Sequence, residues 1–200
     1  MRLLQYNSDS EFSLTKDFVS SEIPEYAILS HTWGADTEEV TYRDVIDGTG
    51  KNKVRYEKIR FCGEQARRDG LQYFWVDTCC IDKSNSIELQ RSINSMFRWY
   101  QDSAKCYVYL VDVPTANVDT TGQGHWLSWE SALRRSRWFE RGWTLQELIA
   151  PNSVEFFSKD CELLSDRKSL ERQICEITRI PSNALRGSPL PTFSVAERMS

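Results

Sequence analysis

The sequence predicts an α/β domain, a three-layer arrangement in which a mainly parallel central sheet is flanked by helices. Three observations carry that expectation. Short runs rich in branched and aromatic residues recur along the chain, helical patterns fill the intervals between them, and two of the runs are almost unbroken apolar stretches. Strands covered by helices on both faces have that last character.

In chain order, the strand candidates are "RLLQY" at 2–6, "YAILS" at 26–30, "YFWVD" at 73–77, "KCYVYLV" at 105–111 and "VEFF" at 154–157. Residues 55–69 place Ile59, Cys62 and Ala66 on one helical face, and Gly70 stands where a left-handed cap belongs. Residues 86–102 bring Ile93, Met96, Phe97 and Tyr100 to helical spacing, and Asn85 with Glu88 three residues on has the form of a capping box. A strand followed by a helix and a further strand implies parallel pairing, because each crossover must return over a sheet face. Ligands of such sheets sit outside the carboxyl ends of the strands. Attention therefore falls on "SHTWGAD", "DTCCIDKSNS" and "WFERGWTLQELIAP" at 138–151.

Composition narrows the function. Two hundred residues suit one domain with one core, and 29 acidic against 25 basic residues give a net charge of −4. No field of that sign draws in nucleic acid. No apolar run approaches the roughly 20 residues of a membrane span, and the N-terminus has no secretory pattern, so a cytoplasmic protein is expected. Cys62, Cys79, Cys80, Cys106, Cys161 and Cys175 include no C-x-x-C pair, and only His31 and His125 could add imidazole. Reduced thiols that pack as small hydrophobes, and no metal, follow from that spacing.

"SHTWG" gathers Ser30, His31, Thr32, Trp33 and Gly34 at a strand end, with the glycine allowing a tight turn. A serine nucleophile is disfavoured, since neighbours on a strand point to opposite faces. Ligand contact and loop packing by Trp33 both remain. Asp77, closing "YFWVD", could accept hydrogen bonds from loop backbone or from a ligand hydroxyl, while Cys79 and Cys80 read as packing. "GQG" at 122–124 is a fragment of a dinucleotide fingerprint, and no G-K-[ST] is present, so Rossmann and P-loop readings fail.

In "RGWTLQELIAP", Pro151 stops a helix expected to begin near Arg141. Trp143 and Glu147, four apart, then share a face, with Leu145, Leu148 and Ile149 serving the core. Either Glu147 is a solvated residue answering Arg141 or Lys159, or an aromatic plane and a carboxylate share one site.

"YAILSHTWG", "FWVDTCCIDK" running into "ELQRSINSMFRWYQDSAKCYVYL", and "RSRWFERGWTLQELIAP" resemble, in that order, the three blocks of the HET (heterokaryon incompatibility) domain of filamentous fungi. The closing "SVAERMS" is similar to the family as well. Asp82 and Lys83 depart from it, since many members carry Asn-Gln there. The resemblance implies a single domain over 1–200 with a TIR-like, flavodoxin-like fold. It also implies the N-terminal effector of a longer receptor-like protein, joined to C-terminal receptor domains and acting in regulated cell death. The stop one turn into "SVAERMS" fits a chain that continues.

TIR enzymes that cleave NAD carry a glutamate four residues after a tryptophan on a helix, a pattern found here as Trp143 and Glu147. By that resemblance Glu147 is the expected catalytic residue, with Ser30, His31, Trp33, Gly34, Asp77, Arg141 and Trp143 around the substrate. NAD or a related nucleotide is then substrate rather than cofactor, and self-association is the expected switch. A non-catalytic module that signals by homotypic assembly is the alternative, and cyclisation or transfer in place of hydrolysis stays open.

Overall fold

Four parallel strands make the centre of the sheet, and their order places the candidate residues together. The computed structural model describes residues 1–7, 12–19, 22–115, 118–119 and 126–187. "GQG", His125 and "SVAERMS" lie outside the described residues.

The strands are β1 (Leu4–Tyr6), β2 (Phe12–Leu14), β3 (Tyr26–His31), β4 (Tyr73–Trp75), β5 (Lys105–Tyr109), β6 (Val118–Asp119), β7 (Trp126–Leu127), β8 (Val154–Phe157) and β9 (Leu163–Asp166). The helices are α1 (Tyr42–Asp47), α2 (Tyr56–Arg68), α3 (Asp77–Cys80), α4 (Ser86–Gln101), α5 (Trp129–Leu133), α6 (Thr144–Ile149), α7 (Glu171–Thr178) and α8 (Ser182–Leu185). Seven strands form one sheet in the order β2-β1-β4-β3-β5-β8-β9, and β6 pairs with β7 in a separate hairpin.

Pairings of β3 with β4, β3 with β5 and β5 with β8 are parallel. The outer pairings of β1 with β2, β1 with β4 and β8 with β9 are antiparallel. The sheet is thus mixed, a parallel centre with antiparallel margins. Among the parallel strands the chain first steps from β3 to β4 on one side, then returns past β3 to build β5 and β8 on the other. The direction of winding reverses between β3 and β5, and the crevice beyond their carboxyl ends is where open α/β sheets receive ligands.

Neighbouring side chains on β4 show helices on both faces. Phe74 lies against Gly63 of α2, and Trp75 packs edge-on against Trp99 and Tyr100 of α4. Helix α2 runs across β1, β3, β4 and β5, while α4 and α8 both meet α6. Among the described residues, Trp75, Trp138, Tyr26 and Tyr107 are the largest fully buried side chains.

The expected helices form with small shifts in their bounds. Gly70 follows α2 at φ 78°, the left-handed conformation that glycine adopts without steric penalty. Asn85 caps α4 by accepting from the Ile87 and Glu88 amides at 3.1 and 3.2 Å. Glu88 does not complete a reciprocal box; its carboxylate accepts from the Asp82 amide at 2.9 Å and pairs with Arg2. The helix expected from Arg141 begins instead at Thr144, after a 3-10 turn at Arg137–Glu140. No helix among the described residues is long and apolar enough to cross a membrane.

Candidate functional site

Glu147 approaches the end of β3 from α6. The Thr144 hydroxyl, one turn earlier, donates to the Trp138 carbonyl at 2.6 Å and ties the start of α6 to the preceding turn. Ser30 Oγ donates to Glu147 Oε2 at 2.5 Å, and Trp138 Nε1 donates to Ser30 Oγ at 2.8 Å. Arg141 completes the shell, with Nη1 on Oε2 and Nη2 on Oε1, both at 2.8 Å. Glu147 is only 2% exposed. The reading of Glu147 as a solvated residue answering Arg141 or Lys159 is corrected in its solvation, because burial leaves the carboxylate to protein donors, while the Arg141 partnership holds. The ion-pair partner of Glu147 among the described residues is Arg141 and not Lys159. A carboxylate this deep is stable only because three donors replace its lost water. The same carboxylate keeps Arg141 charged against the opposing effect of burial.

His31, the next residue on β3, serves the other face, as strand alternation requires. Its Nε2 lies 2.8 Å from Asp77 Oδ1, and its Nδ1 lies 2.8 Å from Lys58 Nζ. An ammonium can only donate, so Nδ1 accepts and Nε2–H donates to Asp77: the imidazole is neutral. Burial, reinforced by the Lys58 charge, holds its pKa below the ordinary histidine value. Burial alone would raise the Asp77 carboxyl, but His31, Lys83 and Lys58 together hold it well below the usual carboxylate range. Lys58, 2% exposed, also pairs with Glu39 at 2.7 Å, and its own pKa is lowered, mainly by burial.

Asp77 has a second partner in Trp33, whose Nε1 donates to Oδ2 at 2.8 Å. That bond holds the half-exposed indole upright at the rim, where Lys83 Nζ lies 3.9 Å over the ring. Asp77 therefore orders side chains from β3 and the loop after it rather than backbone. Gly34 is not in the left-handed conformation, and the atoms nearest its open side are the mobile ends of the Arg55 and Glu38 side chains. Its amide donates to Glu39 Oε1 at 2.6 Å, and a Cβ there would stand 2.7 Å from Arg55 Nε and Glu38 Oε2.

A pocket of about 100 Å³ joins the two networks, lined by His31, Trp33, Asp77, Arg141, Trp143 and Glu147 among others. Trp143 sits at the N-cap of α6, 44% exposed, and reaches the same space as the buried Glu147. Ser30 stands behind the pocket and orients Glu147, while Gly34 lies beyond it and anchors Glu39. Two residues that the sequence did not single out, Lys58 and Glu39, connect His31 to the loop after β3. A lysine in an otherwise charged helix gives no local sign of such a role. Leu145, expected in the core, is 44% exposed; Leu148 is fully buried.

The mixed α/β sheet gathers acidic, basic and aromatic side chains beyond its strand ends at the point of reversed winding, the position at which open α/β sheets take ligands. Residues 26–123 match the family model described as Heterokaryon incompatibility protein (HET), and the chain belongs to that family. Along all 200 residues it is 60% identical to "Vegetative incompatibility protein HET-E-1" of Podospora anserina, spanning 14% of that relative's length. No solved structure matches the chain. The family match ends before the segment that carries Arg141, Trp143 and Glu147, which the relative's identity does cover.

Proposed function

We propose that the chain is a cell-death effector domain of fungal heterokaryon incompatibility that cleaves the nicotinamide-ribose bond of NAD when copies associate. The observation carrying this reading is the Glu147 carboxylate, held at the sheet's reversal point in one pocket with Trp33, Trp143 and Asp77. The order of the parallel strands, second-first-third-fourth, is also the start of the flavodoxin-like order, which supports a TIR-like fold.

In the reaction the C–N bond breaks and both electrons leave with nicotinamide, turning a cationic ring neutral. No proton is needed by the leaving group, so the second carboxyl of ordinary glycosidases is dispensable. The ribose carbon becomes oxocarbenium-like, Glu147 stabilises it by charge, and water adds to that carbon and loses a proton to solvent. The face of Trp33 already holds the Lys83 ammonium, and the same attraction suits a nicotinamide cation. Arg141 exchanges the carboxylate for a substrate phosphate, its fork matching either partner. That exchange frees Glu147 for the sugar.

Incubation of concentrated or surface-tethered protein with NAD, followed by measurement of nicotinamide, tests this. Glu147→Gln is expected to lower release about 100-fold or more while leaving assembly intact. Unchanged release in that variant removes Glu147 from catalysis. A second reading, a non-catalytic homotypic module, is favoured by exposed Ile93 on α4, Leu145 on the neighbouring α6 and Trp143 at the N-cap of α6. It requires that Glu147→Gln keep both assembly and toxicity.

A further inference from the structure

Beside the pocket at Glu147 lies a larger one, about 490 Å³, and the two share Trp33, Ile81 and Lys83 as a partition. The smaller has room for a ring but not for a dinucleotide; only the larger falls within the usual range of ligand sites. Two residues of the larger pocket's lining carry a buried oxygen without a nitrogen or oxygen partner among the described residues, the Thr78 hydroxyl meeting only the Cys79 thiol. The oxygens are Glu39 Oε2 and Thr78 Oγ1, in side chains 6% and 4% exposed. Glu39 Oε1 is saturated by Lys58 and the Gly34 amide, so the carboxylate is fixed with one oxygen unanswered. An acceptor left unpaired in this way is costly unless something donates to it.

The chemistry of that something is constrained. An ionised carboxylate accepts only, so the ligand must bring O–H or N–H groups, while Thr78 can donate or accept. Asp36, Glu39 and Asp82 outnumber Arg43 and Lys83 in the lining, which disfavours an added anion, and the Trp33 and Tyr42 rings, met by Lys83 and Arg2, border the space as aromatic surface for a base. A ribose diol or the amino group of a purine meets these demands, as an acidic residue does for ribose hydroxyls in other dinucleotide sites.

We propose that this pocket is the subsite for the second nucleoside of the dinucleotide, with Glu39 Oε2 and Thr78 Oγ1 bonding its hydroxyl or amino groups and excluding a 2′-phosphate. The assignment rests on the reading of Glu147 as facing the nicotinamide ribose. Both oxygens are nearly covered, and the exposed Trp33 and Lys83 side chains shift to admit the ligand.

Thr78→Val is the clean probe, because it removes a hydroxyl whose protein contact is the neighbouring Cys79 thiol, a weak hydrogen-bonding group, and keeps the volume. Calorimetric titration of the chain and this variant with AMP, with nicotinamide mononucleotide and with AMP carrying a 2′-phosphate separates the subsites. Thr78→Val is expected to weaken AMP binding about three- to tenfold, one hydrogen bond's worth, with mononucleotide binding and the urea midpoint unchanged. The 2′-phosphate is expected to weaken binding to the unmodified chain about tenfold or more. AMP binding unaltered by Thr78→Val or by the 2′-phosphate, or no AMP binding at all, overturns the subsite. Nicotinamide release that depends on Glu147 would survive that result, so the two readings fail separately.

Discussion

Arg141 and Glu147, six residues apart, face one another through two hydrogen bonds of 2.8 Å, a planar fork laid on a planar carboxylate. The guanidinium side chain is 19% exposed and the carboxylate side chain 3%. A pair in that position gains more from its geometry than a surface ion pair does, and it loses more when one partner is removed.

The expected consequence is strong coupling between the two residues. Urea denaturation of Arg141→Gln, Glu147→Gln and the double variant should give an interaction energy of about 1–3 kcal/mol. Strict additivity would mean that the fork is a passive contact. Glu147 would then be oriented by Ser30 alone, and Arg141 would have no carboxylate to exchange for a phosphate.

His31 makes stability depend on pH. In the unfolded chain the imidazole takes its proton near pH ~6.5, whereas burial first and Lys58 second hold the folded value lower. As pH falls below ~6.5 the unfolded state therefore binds more protons and stability is lost. His31→Gln offers the same neutral donor to Asp77 and the same acceptor to Lys58 without titrating. Between pH 6.5 and 5.5 the variant's stability should fall less steeply, by up to about 1.4 kcal/mol per pH unit. Equal slopes would mean that folding leaves the titration of His31 unchanged. At lower pH Asp44, which hydrogen bonds from Lys53 and Thr41 hold at about 2 despite partial burial, and Asp77 withdraw stability as pH drops below ~3.9.

The six thiols should divide by burial. Cys62, Cys79, Cys80 and Cys106 are buried, and Cys161 and Cys175 are partly exposed. Burial pushes the Cys62, Cys79 and Cys106 thiols up, which removes the reactive thiolate as well as access to it. A chromogenic disulfide reagent at pH 8 should modify two thiols in the native chain and six in denaturant. Cys161→Ser should reduce the native count to one, and a third fast thiol would mean that one of the four buried cysteines is accessible.

Elements with a strong local signature were legible in the sequence. The runs that became β4 and β5 are nearly unbroken apolar stretches because they lie in the covered centre of the sheet, those that became β3 and β8 are short branched and aromatic runs, and α2 and α4 carry apolar stripes over several turns. The marginal strands β2 and β9 are short and partly exposed, and α1 buries no residue, so none of the three leaves a periodic trace. The candidate site divides in the same way. Ser30, His31, Asp77 and Glu147 were visible because strand ends and an i, i+4 spacing are local properties. The Lys58 and Glu39 links were not, since a buried ion pair between a helix and a distant loop is defined by tertiary packing alone.

Gly63 reverses an ordinary expectation about helices. Alanine in place of glycine inside a helix such as α2 normally stabilises by about 1 kcal/mol through reduced backbone freedom. Here a Cβ would stand 2.6 Å from Tyr6 Cε2 and 2.9 Å from Phe74 Cε1 and Cζ. Both rings are hemmed in. Tyr6 packs against Phe12 and Phe74, and Phe74 is fully buried beneath them. Overpacking of this kind costs about 1–3 kcal/mol, which outweighs the gain in propensity. Gly63→Ala should therefore lower the urea midpoint, and trimming Tyr6 to leucine in the same chain should restore part of the loss. A midpoint raised by Gly63→Ala alone would mean that α2 can lift from the sheet without penalty. The close seat of α2 on β1 and β4 would then not be what positions Lys58 beneath His31.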